Sequence, residues 1–196
     1  MKIAIIDYGA GNVQSVKYAL ERLGYNSVIT DSAEVIKNAE KVIFPGVGEA
    51  GSAMKALREK RLDKTISELK QPVLGVCLGM QLMCKSSEEG NTKGLGIIDL
   101  AVKKFPIGQK VPQIGWNQIE NLSSPLFQGI SEKEYMYLVH SYYVPKSELT
   151  IATSNYSLEY ATAIRKDNFY GVQFHPEKSS VAGEKLLHNF LKIKNT

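Results

Sequence analysis

The chain opens with a short, nearly all-apolar run, Ile3–Ile6, and a glycine-rich turn at Tyr8 to Gly11. Val13, Val16, Leu20 and Leu23 then recur at the spacing of an amphipathic helix, and Gly24 supplies a stop signal. The pattern predicts strands over residues 27–30 and 41–44. It predicts a helix over residues 50–69 with Met54, Leu57, Leu62, Ile66 and Leu69 on one side, then a buried strand over 72–76 and a helix from about Gly79. Short apolar strands alternating with amphipathic helices are the mark of a parallel sheet covered on both faces.

The second half has a different rhythm. Strand-like runs at 97–104, 114–119, 135–144, 150–154, 161–166 and 169–174 follow one another with few helices between them. They extend the sheet with antiparallel strands or add a small second one. A closing helix over 181–193 carries Val181, Leu186, Leu187, Phe190 and Leu191 on its inner side. No repeat, low-complexity tract or linker interrupts the chain, so the expectation is one α/β domain over residues 1–196.

Composition adds mainly exclusions. Of 196 residues, 43% are hydrophobic and 22% charged, as in an ordinary globular protein with a sizeable core. The net charge of +4 is mild, and the basic clusters (Lys103-Lys104, Lys192 and Lys194) are short, so nucleic acid is not an expected partner. No stretch approaches the roughly 18 apolar residues that span a bilayer, and the opening residues are too short an apolar run for a signal peptide. The two cysteines, Cys77 and Cys84, form no secreted disulfide framework. A cytoplasmic protein without membrane contact is expected.

The strongest chemical signal is Gly75-Val76-Cys77-Leu78-Gly79 at the junction of the fourth strand and its helix. A nucleophile with glycines two before and two after is the thiol form of the nucleophile elbow, where the turn is too sharp for side chains at the glycine positions. The helix N-terminus favours a thiolate, and the backbone N–H of Leu78 can donate to an oxyanion. A buried structural cysteine is the bland alternative, and the paired glycines weigh against it.

A thiol nucleophile needs a base, and three histidines are available. His188 lies in the closing helix, where packing or exposure explains it. His140 sits in an aromatic run and reads equally well as a satisfied core histidine. His175 ends the run Gly171 to Phe174 and precedes Pro176 and Glu177. Residues two apart in an extended segment project to the same side, so Glu177 can hold one ring nitrogen and leave the other for the thiol. Gly46 and Gly48 flank Val47 directly after the third strand and allow a second oxyanion donor there. Gly9-Ala10-Gly11 invites a dinucleotide site, but the third glycine of that fingerprint falls on Gln14. No cofactor is expected. Metal-ligand spacing is likewise absent from the sequence.

At this point the chain resembles the class I, triad-type glutamine amidotransferases, and among them the glutaminase subunits of imidazole glycerol phosphate synthase. The likeness runs over essentially the whole length. Four segments carry it: Asp7-Tyr8-Gly9-Ala10-Gly11-Asn12, Pro45-Gly46-Val47-Gly48, Gly75-Val76-Cys77-Leu78-Gly79-Met80-Gln81 and Phe174-His175-Pro176-Glu177-Lys178-Ser179, with Gly115-Trp116-Asn117 pointing to the narrower family.

The resemblance implies a flavodoxin-like α/β fold, with a largely parallel central sheet, helices on both faces and added antiparallel strands in the C-terminal half. It implies a Cys77–His175–Glu177 triad with oxyanion donors at Val47, Gly48 and Leu78. Those at Val47 and Gly48 would be either pre-formed or brought into place by a backbone rearrangement triggered by a partner. Glutamine would be held by Gly46, Gln81, His140, Ser141, Tyr142 and Glu89, with Glu88 the alternative to the last. Asn12, Trp116, Tyr137 and Lys178 would meet a barrel-shaped cyclase subunit in a heterodimer. The implied activity is glutamine hydrolysis with ammonia passed to the cyclase, in histidine biosynthesis. Rivals are a paralogue serving surface-sugar amidation, a non-catalytic binding module on the same fold, and a stand-alone hydrolase. From local sequence alone, Trp116 is as easily core and Lys178 a solvated charge.

Overall fold

The computed structural model describes residues 1–108 and 110–194. Its central sheet has seven strands: β1 (Ile3–Ile6), β2 (Val28–Thr30), β3 (Lys41–Gly46), β4 (Val73–Cys77), β11 (Thr150–Asn155), β12 (Glu159–Lys166) and β13 (Phe169–Val172), in the order β11-β12-β13-β4-β3-β1-β2. The five strands from β2 to β13 are mutually parallel, and β12 and β11 add an antiparallel edge. The helices are α1 (Val13–Arg22), α2 (Ala33–Lys37), α3 (Ala50–Glu59), α4 (Leu62–Ser67), α5 (Leu78–Met83) and α6 (Ser180–Lys192).

Alternate side chains of the parallel strands feed two cores. Ile3, Ile5, Ile43, Leu74 and Val76 pack with Val16 and Leu20 of α1 and Leu186, Leu187 and Phe190 of α6. Ala4, Ile6, Val42, Phe44 and Val73 pack with α2 to α5 through Ile36, Met54, Leu57, Ile66 and Met80. Burial on both faces explains why these strands read as unbroken apolar runs. The expected fold class is borne out.

The remaining strands make two smaller layers. β5 (Cys84–Ser87), β6 (Thr92–Lys93), β7 (Ile98–Lys104) and β10 (Tyr142–Tyr143) form a four-stranded sheet, and β8 (Gln113–Ile119) pairs with β9 (Glu134–His140) as an antiparallel ribbon. Both alternatives for the second half therefore occur, extension of the main sheet and new small ones.

Several elements depart from the pattern. The single helix expected over 50–69 is two, broken where Arg61 takes a left-handed φ of 57° with no glycine or proline to signal it. The helix after Cys77 ends at Met83 and runs straight into β5. The strand expected over 135–144 breaks at Ser141, because its two halves pair with different sheets. α2, only five residues long, carries too short a period to be read; Ser32 caps it by accepting from Val35 N. Val181, expected on the inner side of α6, is 75% exposed, since nine residues of 3.6-residue turns put it on the opposite side of the helix from buried Phe190.

Candidate active site

The carboxyl ends of β3 and β4 lie side by side, with Gly46 paired to Cys77 as the last register step. Open α/β sheets bind ligands beyond this end of their strands. Cys77 closes β4 and caps α5 with φ 54° and ψ −112°, a conformation that strains an L-residue by about 1–3 kcal/mol. The two glycines are what make it possible. A Cβ on Gly79 would collide with the Phe44 carbonyl oxygen, and one on Gly75 would lie 2.7 Å from Met83 Cε and 2.9 Å from Met80 N. Sulfur is thereby held at the N-terminus of α5, where Leu78 N–H has no acceptor within its own helix.

Cys77 Sγ lines a cavity of about 290 Å³ together with Val47, Gly48, Leu78, Gln81, Glu89, Pro112, Val139, His140, Ser141, Tyr142, His175 and Lys178. His175 arrives from the end of the segment that follows β13, with its backbone N–H donating to Tyr137 O at 2.9 Å. Its Nδ1 lies 2.9 Å from Glu177 Oε1, and both side chains are buried. A carboxylate only accepts, so Nδ1 carries the proton and Nε2 is left for the thiol. Burial works against a charged imidazole here, but hydrogen bonding and charge from Cys77 and Glu177 outweigh it and hold His175 up at about 10. In this conformation the thiol donates to Val139 O at 3.7 Å. Bonds of this kind commonly tighten onto the base only when substrate is bound.

Another part of the cavity lining is organised by one backbone carbonyl, that of Tyr142. Tyr142 O accepts from Gln81 Nε2 at 3.0 Å and from His140 Nδ1 at 2.7 Å. His140 Nε2 then faces Tyr160 OH at 3.3 Å. Burial pushes His140 down to about 4, and the nearby charge of His175 adds to that against the opposing bond to Tyr142 O. A neutral histidine packed among Phe105 and Tyr160 fits its core role, while its segment still borders the cavity.

Glu89 and Glu88 part company. Glu88 points to solvent, where Lys103 Nζ and Lys104 N donate to it at 2.9 and 2.8 Å. Glu89 borders the cavity and accepts from Ala50 N at 2.9 Å, so its carboxylate sits on the first turn of α3 directly beyond the 46–48 loop. Burial raises its pKa, the Ala50 N–H opposes this, and the charge of Glu49 adds to it. Glu49 itself caps the same helix through Gly51 N and Ser52 N, both at 2.8 Å.

Not every candidate lies in the cavity. Gly46 stops one residue short of it, with its Cα wedged against Gly79 N and the Tyr8 hydroxyl. Asn12 caps α1 by accepting from Ser15 N at 3.4 Å. Trp116 is half exposed rather than core, and its ring meets Tyr137 edge-on at 6.0 Å. Lys178 Nζ lies 6.0 Å above the Tyr137 ring, so this lysine belongs both to the cavity rim and to the aromatic ribbon face. Ile114 and Tyr135 extend that face as exposed apolar side chains.

Two buried polar groups near the sulfur escaped the sequence reading. Gln173, fully buried, was counted in an apolar run, yet its Nε2 lies 3.7 Å from Cys77 Sγ and its Oε1 accepts from Gln81 Nε2 at 2.8 Å. The two-residue spacing that linked His175 to Glu177 also puts Gln173 on the side of His175, and that signal was available. The sequence marks Tyr8 only as part of a turn. Among the described residues no cluster of three or more His, Cys, Asp and Glu is arranged for a metal, and no helix is long and apolar enough to cross a membrane.

A model of the family described as Glutamine amidotransferase class-I matches residues 4–193. The chain belongs to the class-I glutamine amidotransferases. Within that family it is 56% identical over 196 residues to the Imidazole glycerol phosphate synthase subunit HisH of Bacteroides fragilis, covering 98% of this chain and 100% of that one. It is 50% identical over 194 residues to the subunit of the same name from Haemophilus influenzae, covering 98% of both chains. The amidotransferase fold recurs at low identity. A solved structure titled "Crystal structure of glutamine amidotransferase" superimposes with a TM-score of 0.76 at 19% identity, over 97% of each chain. The structure of PurLQS from Thermotoga maritima gives 0.74 at 14% identity, again over 97% of each.

Proposed function

We propose that this chain is the single-domain glutaminase subunit of an imidazole glycerol phosphate synthase, hydrolysing glutamine and supplying ammonia to a cyclase subunit. One observation carries the chemistry: a strained Cys77 at a helix N-terminus shares a small cavity with a buried imidazole that a buried carboxylate orients.

In the proposed reaction His175 Nε2 takes the thiol proton and Sγ attacks the side-chain carboxamide carbon of glutamine. Leu78 N–H and the Val47–Gly48 loop hold the oxyanion, each donor being worth about 2.7–4 kcal/mol in the transition state. The C–N bond breaks as His175 returns the proton to the leaving nitrogen, giving ammonia and a glutamyl thioester. Water, deprotonated by His175, then cleaves the C–S bond and releases glutamate. Gln81 and the 141–142 segment hold the substrate, and Glu89 receives its α-ammonium.

Ammonia loses its nucleophilicity once protonated in water, so a protected passage into the partner makes chemical sense. The partner is a (β/α)8-barrel cyclase, which uses the ammonia to form imidazole glycerol phosphate and an aminoimidazole carboxamide ribotide in histidine biosynthesis. The exposed apolar ribbon face with Ile114, Trp116 and Tyr135, beside Lys178, supports docking there. The names of the 50–56% identical relatives favour the histidine route over sugar amidation. Free thiols fit a cytoplasmic setting. The test is glutamate release by the wild-type complex with its cyclase against that of Cys77→Ala. Loss of turnover is expected, and retained turnover refutes the proposal.

A further inference from the structure

We propose that Gln173 is a thiolate-stabilising donor: its side-chain amide holds an N–H on Cys77 Sγ and ties the nucleophile to the substrate-binding Gln81. The orientation follows from a backbone carbonyl. Tyr142 O can only accept, so the Gln81 group facing it at 3.0 Å is the NH2. The second N–H of that NH2 reaches Gln173 at 2.8 Å and fixes the atom it meets as the carbonyl Oε1. Gln173 must then present its own NH2 to the sulfur, at 3.7 Å. The polarity of both amides is set from the Tyr142 carbonyl outward, and neither can flip without placing two like groups in contact.

The sulfur thus lies between opposite influences. Val139 O at 3.7 Å welcomes the thiol proton and repels the thiolate, whereas Gln173 N–H remains attractive when the proton leaves for His175. Hydrogen bonds to a charged acceptor are about twice as strong as neutral ones, so the donor acts differentially on the ionised form. Gln173 is fully buried, and its backbone N–H is bonded to Thr162 O at 2.8 Å, which keeps the amide in place without solvent.

This role assumes the Cys77 nucleophile proposed above, and the test separates the two. The full-length chain, alone and with its cyclase, is alkylated with iodoacetamide between about pH 5 and about pH 10, and the modified thiol is located by mass spectrometry. Gln173→Met, which fills the space without a donor, should displace the midpoint of the Cys77 pH–rate profile to the alkaline side by about one pH unit and leave the alkaline plateau within about twofold. Gln173→Glu should displace it further. A general loosening of the fold would change the plateau and not the midpoint. Superimposable wild-type and Gln173→Met midpoints overturn the role of Gln173. A wild-type Cys77 that reacts no faster than an unfolded thiol overturns the nucleophile itself. If both variants fail to fold, the 15N-labelled wild-type side chain decides. Its Gln173 amide proton resonance should titrate with the midpoint found for alkylation, and a pH-invariant resonance refutes the contact.

Discussion

Glu177 gives His175 Nδ1 one carboxylate oxygen, Oε1, at 2.9 Å, and leaves the other, Oε2, buried without a hydrogen-bond partner among the described residues. A buried carboxylate kept in this state is tolerated because the imidazolium it faces compensates it. Replacing Glu177 by Gln keeps an acceptor of the same shape and removes the charge. We predict a fall in kcat of about 100-fold or more, with KM for glutamine within about twofold, in a glutamate-release assay with the cyclase present. An unchanged kcat would mean that the carboxylate only packs.

The two buried histidines make opposite demands on pH. His175 is raised from 6.5 to about 10, so its contribution to stability is complete below about pH 6.5 and is lost as the pH climbs through 10. His140 is lowered from 6.5 to about 4, so its contribution is complete above about pH 6.5 and is lost as the pH falls through 4. Thermal midpoints should therefore peak near pH 6.5 and decline on both sides. Cys77→Ala removes one of the two groups that sustain the His175 imidazolium and should flatten the alkaline limb alone. A monotonic profile would contradict the assignment.

Tyr8 is 1% exposed, stacks obliquely on Phe44, and has a hydroxyl without a hydrogen-bond partner among the described residues. Burial raises its pKa, with a smaller push from Cys77, so the group stays a neutral, unpaired phenol. Tyr8→Phe removes an orphaned polar atom and nothing else. The resting chain should gain about 1 kcal/mol, a rise of roughly 2–4 °C in thermal midpoint. A fall of that size in differential scanning calorimetry would reveal a partner for the hydroxyl.

The two neighbouring glutamates differ in their surroundings: Glu89 borders the cavity and Glu88 pairs with Lys103 at the surface. Glu89→Gln removes the charge facing the cavity and should raise KM for glutamine by about 10- to 100-fold, as expected for one charge-assisted bond to an ammonium. Glu88→Gln loses only an exposed pair with Lys103 and a bond from Lys104 N, and should leave KM within about twofold. Steady-state kinetics of the two variants with the cyclase present decide this, and equal effects would refute the distinction.

What was legible in the sequence follows from what is local. The elbow could be read because the backbone at Cys77 forces glycine at 75 and 79, and residues so constrained leave a spacing. His175 and Glu177 could be paired because two residues of extended chain bring them together. The parallel core strands were visible because burial on both faces leaves no polar position. Distances set by tertiary packing were not legible. The Arg61 break between α3 and α4 has no local punctuation, and the split at Ser141 is imposed by two different partner strands. Gln173 shares the side of His175 by the same two-residue spacing, but that spacing names no partner 96 positions away. The choice between Glu88 and Glu89 needed the fold, since adjacent residues differ only in the side to which they point.

If the proposed mechanism holds, Cys77 is the sulfur that receives glutamine. Burial pushes the other thiol, Cys84, up to about 12, so it is inert near neutral pH and serves as an internal control. The decisive measurement is to incubate the complex with a diazoketone analogue of glutamine, with and without excess glutamine, and to map the adduct by mass spectrometry. One adduct is expected, on Cys77, formed in step with loss of glutaminase activity and prevented by glutamine. An adduct on Cys84, or full labelling of Cys77 with activity intact, would contradict it.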